Sequence, residues 1–318
     1  MAWKRFLGAS AVIAIIVVLG ACSAAAPGGG SGSQKQVIGF SQANGSDEWR
    51  TNQNKKVAEN CNPVAQTLVS DALGDDAVQS SHVDEFVSRP VSVLLLTPNT
   101  AAGLTEAAKR AMDKKVPVIT LDRSVDVPVT QHIGADNKLI GKTAAEYVSK
   151  TILGGAGGKV IEIQGTAGAS ATTDRHDEFV NWLSANDPKV EIVDSVVADY
   201  KRENALTAMN DLLQKYGPGE VDVVYTHNDA MALGVVAALE TANRLDEFKV
   251  VGIDGQNEAI QAIKDGKIVV TFTYDNAGKE ACETAAKLLK GETVDPQWVL
   301  PTSTIDGANV DEWLGKGF

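Results

Sequence analysis

Short apolar runs alternate with longer amphipathic stretches along most of this chain. Residues 37–41 (VIGFS), 67–71, 91–96 (VSVLLL) and 116–121 (VPVITL) predict buried strands. Between them, 47–60, 76–88 and 101–115 predict helices. The rhythm then resumes. Helices are expected over 137–153, 172–186, 203–216, 229–243, 257–265 and 277–289. Strands are expected over 158–164, 190–197, 221–226, 249–253 and 268–273. Apolar strands separated by helices imply βαβ units and parallel sheets. The rhythm runs twice without a short sequence repeat, so the fold class is α/β, with two similar doubly wound parallel-sheet lobes.

The start of the chain breaks this pattern. Lys4-Arg5 forms a basic head, and residues 6–21 carry no charge. That run is short for a membrane span of about 20 residues and suits a signal-peptide core. It ends in Leu19-Gly20-Ala21-Cys22, which resembles a bacterial lipobox, whose Cys is acylated and becomes the new N-terminus. Residues 1–21 are therefore expected to be a signal peptide and Cys22 the lipidation site. Residues 22–35, rich in Ala, Gly, Ser and Pro, form a flexible tether without core-forming side chains. The body would then sit on the extracytoplasmic face of the cell membrane, held by lipid.

Charge narrows the partners. The chain carries 29 Lys+Arg against 41 Asp+Glu, a net of −12. Such a surface disfavours nucleic acid, whose phosphates need basic patches. Three cysteines are too few for a disulfide scaffold and lack metal-ligand spacing. Cys61 and Cys282 are either buried thiols or a disulfide, and an oxidising exterior permits the bond.

In open parallel sheets, ligands sit at the carboxyl ends of strands, near the topological switch. Those ends carry the chemistry of this chain. The first strand leads to Trp49-Arg50, and the fourth ends in Asp122-Arg123. A Gly-rich loop (GTAGAS, 165–170) leads to Asp174-Arg175. Later strands end in His227-Asn228-Asp229, Asp254-Gly255 and Tyr274-Asp275. Arginine forks and carboxylates suit vicinal hydroxyls, and an aromatic face covers the C–H surface of a sugar. The Gly-rich loop matches neither GxGxxG nor a Walker loop, so no nucleotide cofactor is expected.

The segments IGFSQ…WR (38–50), TLDRSVDV (120–127), EIQGTAGASATTDR (162–175), THNDAMALG (226–234) and VGIDG (251–255) occur together and in order. On them, the chain resembles the type I periplasmic sugar-binding proteins of bacterial ABC importers. It falls in the ribose-binding group, closest to the galactofuranose-binding branch. The resemblance implies that Asp122, Arg123, Arg175, Asn228 and Asp254 hold the sugar. Trp49 and Arg50 match a pair typical of the galactofuranose branch, and Tyr274 replaces the Gln of ribose binders. Ala135 stands where related proteins offer a hydroxyl.

It further implies lobe 1 at 36–135 with 274–302, and lobe 2 at 136–273 with 303–318. A hinge of three crossings near Ala135, Thr273 and Ser303 would let them close on one monosaccharide. The partners implied are permease and ATPase subunits, with no cofactor, no metal and a monomeric protein.

Plainer roles compete for the same residues. Asp174 suits a helix cap, as does Asn228, and Trp49 suits a core anchor. Asp229 and His227 suit structural roles. Two other functions also compete with import. One is a sugar-sensing receptor of the same fold that signals to a sensor kinase. The other is a glycosidase using a carboxylate pair such as Asp122 and Asp254. Catalysis needs one carboxyl of raised pKa. Neighbouring arginines are expected to lower both, which argues for a binding protein and against an enzyme.

Overall fold

The computed structural model describes residues 36–318 apart from Pro90. The expected signal peptide, Cys22 and the tether lie outside the described residues. No described helix is long and apolar enough to cross a membrane.

Twelve strands and ten α-helices make up the described chain. The first sheet contains β1 (Val37–Gln42), β2 (Gln66–Asp71), β3 (Val93–Leu96), β4 (Val118–Leu121) and β5 (Gln131–Ala135). The helices among these strands are α1 (Glu48–Cys61), α2 (Asp76–Ser88) and α3 (Ala101–Asp113). There follow α4 (Asn137–Tyr147), β6 (Gly158–Gln164), α5 (Ser170–Asn186), β7 (Val190–Val197), α6 (Arg202–Lys215) and β8 (Val223–Thr226). Then come α7 (Asp229–Thr241), β9 (Lys249–Val251), α8 (Asn257–Lys264), β10 (Val270–Phe272) and α9 (Gly278–Leu289). The chain ends with β11 (Gln297–Leu300), β12 (Thr304–Asp306) and α10 (Val310–Trp313).

Two sheets of six strands result, ordered β11-β5-β4-β3-β1-β2 and β12-β10-β9-β8-β6-β7. Every pairing is parallel except β10 with β12. Setting aside the last strand of each, both follow the doubly wound order 2-1-3-4-5, which reverses beside the first strand. Helices cover both faces of both sheets. In the first, α1 and α9 pack on one side, and α2 and α3 on the other. In the second, α6, α7 and α8 face one side, and α4 and α5 the other. Central strands are therefore apolar throughout: Val93–Leu96 is fully buried.

The predicted helices and strands recur with shifted ends. Several strands begin two residues later than their apolar runs. The expected helix over 137–153 ends as α-helix at Tyr147 and continues as a π-turn over Val148–Ile152. Three strands escaped prediction: β5, β11 and β12. They are only three to five residues long and lie toward the sheet edges. No helix separates β4 from β5, so the loop after β4, with Asp122 and Arg123, stays open to the cleft.

Cys61 and Cys282 form a disulfide, with Cα atoms 4.9 Å apart. It joins the end of α1 to α9 across 221 residues of chain. That settles the choice left open by the sequence.

Candidate ligand-binding site

Between the two lobes lies a small cavity. It is lined by all the residues singled out above: Trp49, Arg50, Asp122, Arg123, Arg175, Asn228, Asp254 and Tyr274. Asp47, Ala171 and Tyr200 complete the wall. The lobes touch around it. Ala101 N donates to Gly168 O (3.0 Å), Ser124 N donates to Ser170 Oγ (2.8 Å), and Gln256 reaches Glu48. The cleft is therefore shut.

Asp122 is the hub on the first lobe. Its backbone is left-handed (φ 63°), an arrangement that costs a non-glycine residue about 1 kcal/mol or more. Arg50 Nη2 donates to its Oδ2 (2.5 Å), and the Tyr274 hydroxyl donates to its Oδ1 (2.6 Å). Burial alone would raise this carboxyl. Arg50 and then Arg123 outweigh burial and hold it below the usual carboxylate range. Arg123 Nη1 donates to Asn99 O (2.8 Å), while its Nε is buried without a partner among the described residues. Burial, reinforced by repulsion from Arg50, depresses the Arg123 guanidinium.

Arg175 is the corresponding group on the second lobe, only 2% exposed. Gly141 of α4 makes its position possible, because a Cβ there would meet Arg175 O at 2.5 Å. Arg175 Nε donates to Asn137 Oδ1 (2.9 Å), and Nη1 donates to His227 O. Its Nη2 has no hydrogen-bond partner among the described residues. His227 is itself held by Glu162, with Nε2 and Oε1 2.9 Å apart. Burial opposes the Glu162 charge, yet hydrogen bonds led by His227 pull its pKa down to about 2. Asn137 was not foreseen. It lies two residues beyond Ala135, and its Nδ2 donates to the Tyr274 hydroxyl (3.1 Å). A polar contact is thus present near the position where Ala135 offers none.

Asp254 differs from expectation. Its carboxylate has no hydrogen-bond donor among the described residues, although the residue is only 7% exposed. Burial raises its pKa well above the ordinary value, and the nearby Asp229 carboxylate raises it further, against Arg175. An arginine was expected to lower it. Asp229 is fully buried, accepts from Thr271 Oγ1 (2.7 Å) and Gln256 N (2.8 Å), and is pushed up by burial to about 7.

Other side chains divide between cavity and scaffold. Asn228 lines the cavity and also caps α7, its Oδ1 accepting from Met231 N (2.9 Å). Asp174 does not cap α5; Ala169 holds that position without a side-chain bond, and Asp174 lies in the second turn. Trp49 serves as both wall and anchor, because its indole N–H donates to Tyr274 O (3.1 Å). Its ring meets Tyr274 at 5.6 Å. Tyr200 was missed by sequence reasoning, since its loop shows no periodicity. Its ring lies where a Cβ of Gly165 would be, 2.0 Å from the nearest ring atom.

Two lobes clasping a closed polar chamber agree with the sequence relationships. A model of the periplasmic binding protein domain matches residues 38–293. The chain belongs to this family. Curated relatives of this periplasmic binding protein match most of its length. The fructose import binding protein of Bifidobacterium longum is 30% identical, over 98% of this chain and 97% of the relative. The ribose import binding protein of Salmonella typhimurium is 38% identical, over 73% of this chain and 77% of the relative. The solved structure of a galactofuranose binding protein superposes with a TM-score of 0.81 at 27% identity, over 89% of this chain and 98% of that one.

Proposed function

We propose that this chain is the extracytoplasmic binding component of an ABC importer and holds one monosaccharide between its lobes. The observation carrying this is the set of unsatisfied groups in the shut chamber. Arg123 Nε is buried with no hydrogen-bond partner, and the Asp254 carboxylate and Arg175 Nη2 on the cavity wall have none among the described residues. Buried polar groups left this way cost about 1–3 kcal/mol each, so a ligand rich in hydroxyls is the natural complement. Three arginines face Asp47, Asp122 and Asp254, of which burial raises Asp47 and Asp254 above the ordinary carboxylate range. Trp49 and Tyr274 supply the apolar wall for a sugar's C–H face.

A galactofuranose-like sugar is favoured over ribose, from Trp49-Arg50 and Tyr274. Import is favoured over signalling because the fructose and ribose relatives are import binding proteins. Burial raises the Asp254 carboxyl as an acid would require, and cleavage is disfavoured because the fructose and ribose relatives are import binding proteins. The lobes are taken as 36–135 with 274–302, and 136–273 with 303–318. The first sheet draws strands from 37–135 and 297–300, the second from 158–272 and 304–306, in keeping with those bounds. At the proposed hinge, Thr273 N donates to Ser303 O (2.9 Å), and Ser303 N donates to Thr273 Oγ1 (2.8 Å).

Calorimetry against galactofuranose, fructose and ribose should find micromolar or tighter binding, about −8 kcal/mol, for at least one sugar. Ligand contacts from both lobes coexist only when the cleft is shut, so scattering should show a smaller radius of gyration on adding that sugar. No heat with any monosaccharide, together with tight binding of an amino acid, would overturn this function.

The anchor rests on the LGAC sequence at 19–22. Wild-type protein should carry an acyl mass on Cys22, and Cys22→Ala should leave it unprocessed or released from the membrane. Membrane retention unchanged in the variant, with no acyl mass on the wild type, removes the anchor.

A further inference from the structure

The ligand chamber has a neighbour. A surface crevice lies beside it and shares Asp47, Arg50 and Arg123 with its lining. One lip comes from Leu73-Gly74, just beyond β2. The other comes from Asp199 and Lys201, just beyond β7. β2 and β7 are the corresponding edge strands of the two sheets, so the lips face each other across the mouth of the cleft.

We propose that this mouth is a second subsite. It would receive a further polar unit attached to the bound sugar, so that the ligands include glycosides and short oligosaccharides. This rests on the monosaccharide-binding function proposed above and extends it.

Four observations carry it. The lobes are latched at Ala101–Gly168, Ser124–Ser170 and Glu48–Gln256. Among the described residues, no hydrogen bond or ion pair joins the two lips. Closure therefore holds the lobes together around the inner chamber and places no latch across the mouth. Next, Arg123 lines both, is only 5% exposed, and keeps a buried Nε with no hydrogen-bond partner, 3.8 Å from Asp122 Oδ2. It stands at the junction as a donor for either unit of a ligand that spans both.

Third, the side chains of Asp199 and Lys201 have no partner among the described residues, which leaves one acceptor and one donor for hydroxyls. Last, both lips have left-handed backbone. Leu73 (φ 54°) precedes Gly74, and Asp199 (φ 56°) precedes Tyr200 (φ 61°). Two consecutive non-glycine residues in this region are strained, and such strain persists where the surrounding structure fixes it, commonly at binding sites. Here it turns Tyr200 into the inner chamber and Asp199 into the mouth. Leu73, 79% exposed, offers an apolar edge beside these polar groups.

The test is calorimetry with pairs of probes that share one ring: fructose with sucrose, and galactofuranose with methyl galactofuranoside and a galactofuranosyl disaccharide. For the ring that binds, the extended probe should retain affinity within about tenfold of the free sugar. Thr166→Trp, on the lip formed by the Gly-rich loop, should fill the mouth. It should weaken the extended probe at least tenfold and leave the free sugar within about threefold. Lys201→Ala, a surface change, should weaken only the extended probe, about threefold. Loss of more than a hundredfold for every extended probe in the wild type overturns the subsite. So does equal weakening of free and extended probes by Thr166→Trp. Failure of every probe, free or extended, refutes the monosaccharide function instead, and the subsite falls with it.

Discussion

Asp122→Ala is expected to weaken sugar binding at least a hundredfold and to destabilise the empty protein by about 3–5 kcal/mol. The second figure is the usual cost of removing one partner of a buried ion pair. Asp122 is 4% exposed and accepts from Arg50 and Tyr274. Without it, Arg50 keeps its charge beside Arg123 with no carboxylate between them. Arg123→Ala should behave differently. Burial and Arg50 already disfavour the Arg123 charge, so its removal relieves repulsion. That variant should lose sugar affinity to a similar degree, yet be no less stable than the parent. Calorimetry gives the affinities and chemical denaturation the stabilities. If Asp122→Ala binds sugar within tenfold of wild type, or if Arg123→Ala unfolds as easily as Asp122→Ala, the charge arrangement described here is wrong.

The second large effect concerns the disulfide. Replacing Cys61 and Cys282 together by Ser should cost about 2–5 kcal/mol, because the bond closes a long loop and restricts the unfolded chain. For a chain of this size, that is a fall in melting temperature of about 5–15 °C. Sugar affinity should fall too, though less. The disulfide ties α1, which presents Trp49 and Arg50, to α9, which follows Tyr274. Thermal melts with and without reductant, and alkylation followed by intact mass, check both points. A wild-type protein that alkylates at both cysteines without denaturant, or melts alike with and without reductant, would show the bond to be absent.

Much of this protein was determined by local pattern. Runs such as Val93–Leu96 bury every side chain because helices cover both faces of the sheet, and that burial is visible as continuous apolarity. Alternation with amphipathic stretches then dictates βαβ units. Because such sheets present their strand ends to a cleft, the region of the site could be named in advance; the family resemblance then selected eight residues there, and all eight line the chamber.

What tertiary structure decided lies beyond the range of any periodicity. β5, β11 and β12 form because a neighbouring strand offers hydrogen bonds, and their own residues carry little signal. Asn137 supports Arg175 and Tyr274 from a helix start, and Tyr200 enters the wall from a strained turn packed on Gly165 and Thr172, placements set by contacts distant in sequence. Cys61 and Cys282 meet only after 221 residues have folded between them. Adjacent arginines were expected to lower the Asp254 carboxyl, but it lies buried beside Asp229 and is raised. Charge balance at a buried site is a sum over neighbours in space, and sequence lists only neighbours along the chain.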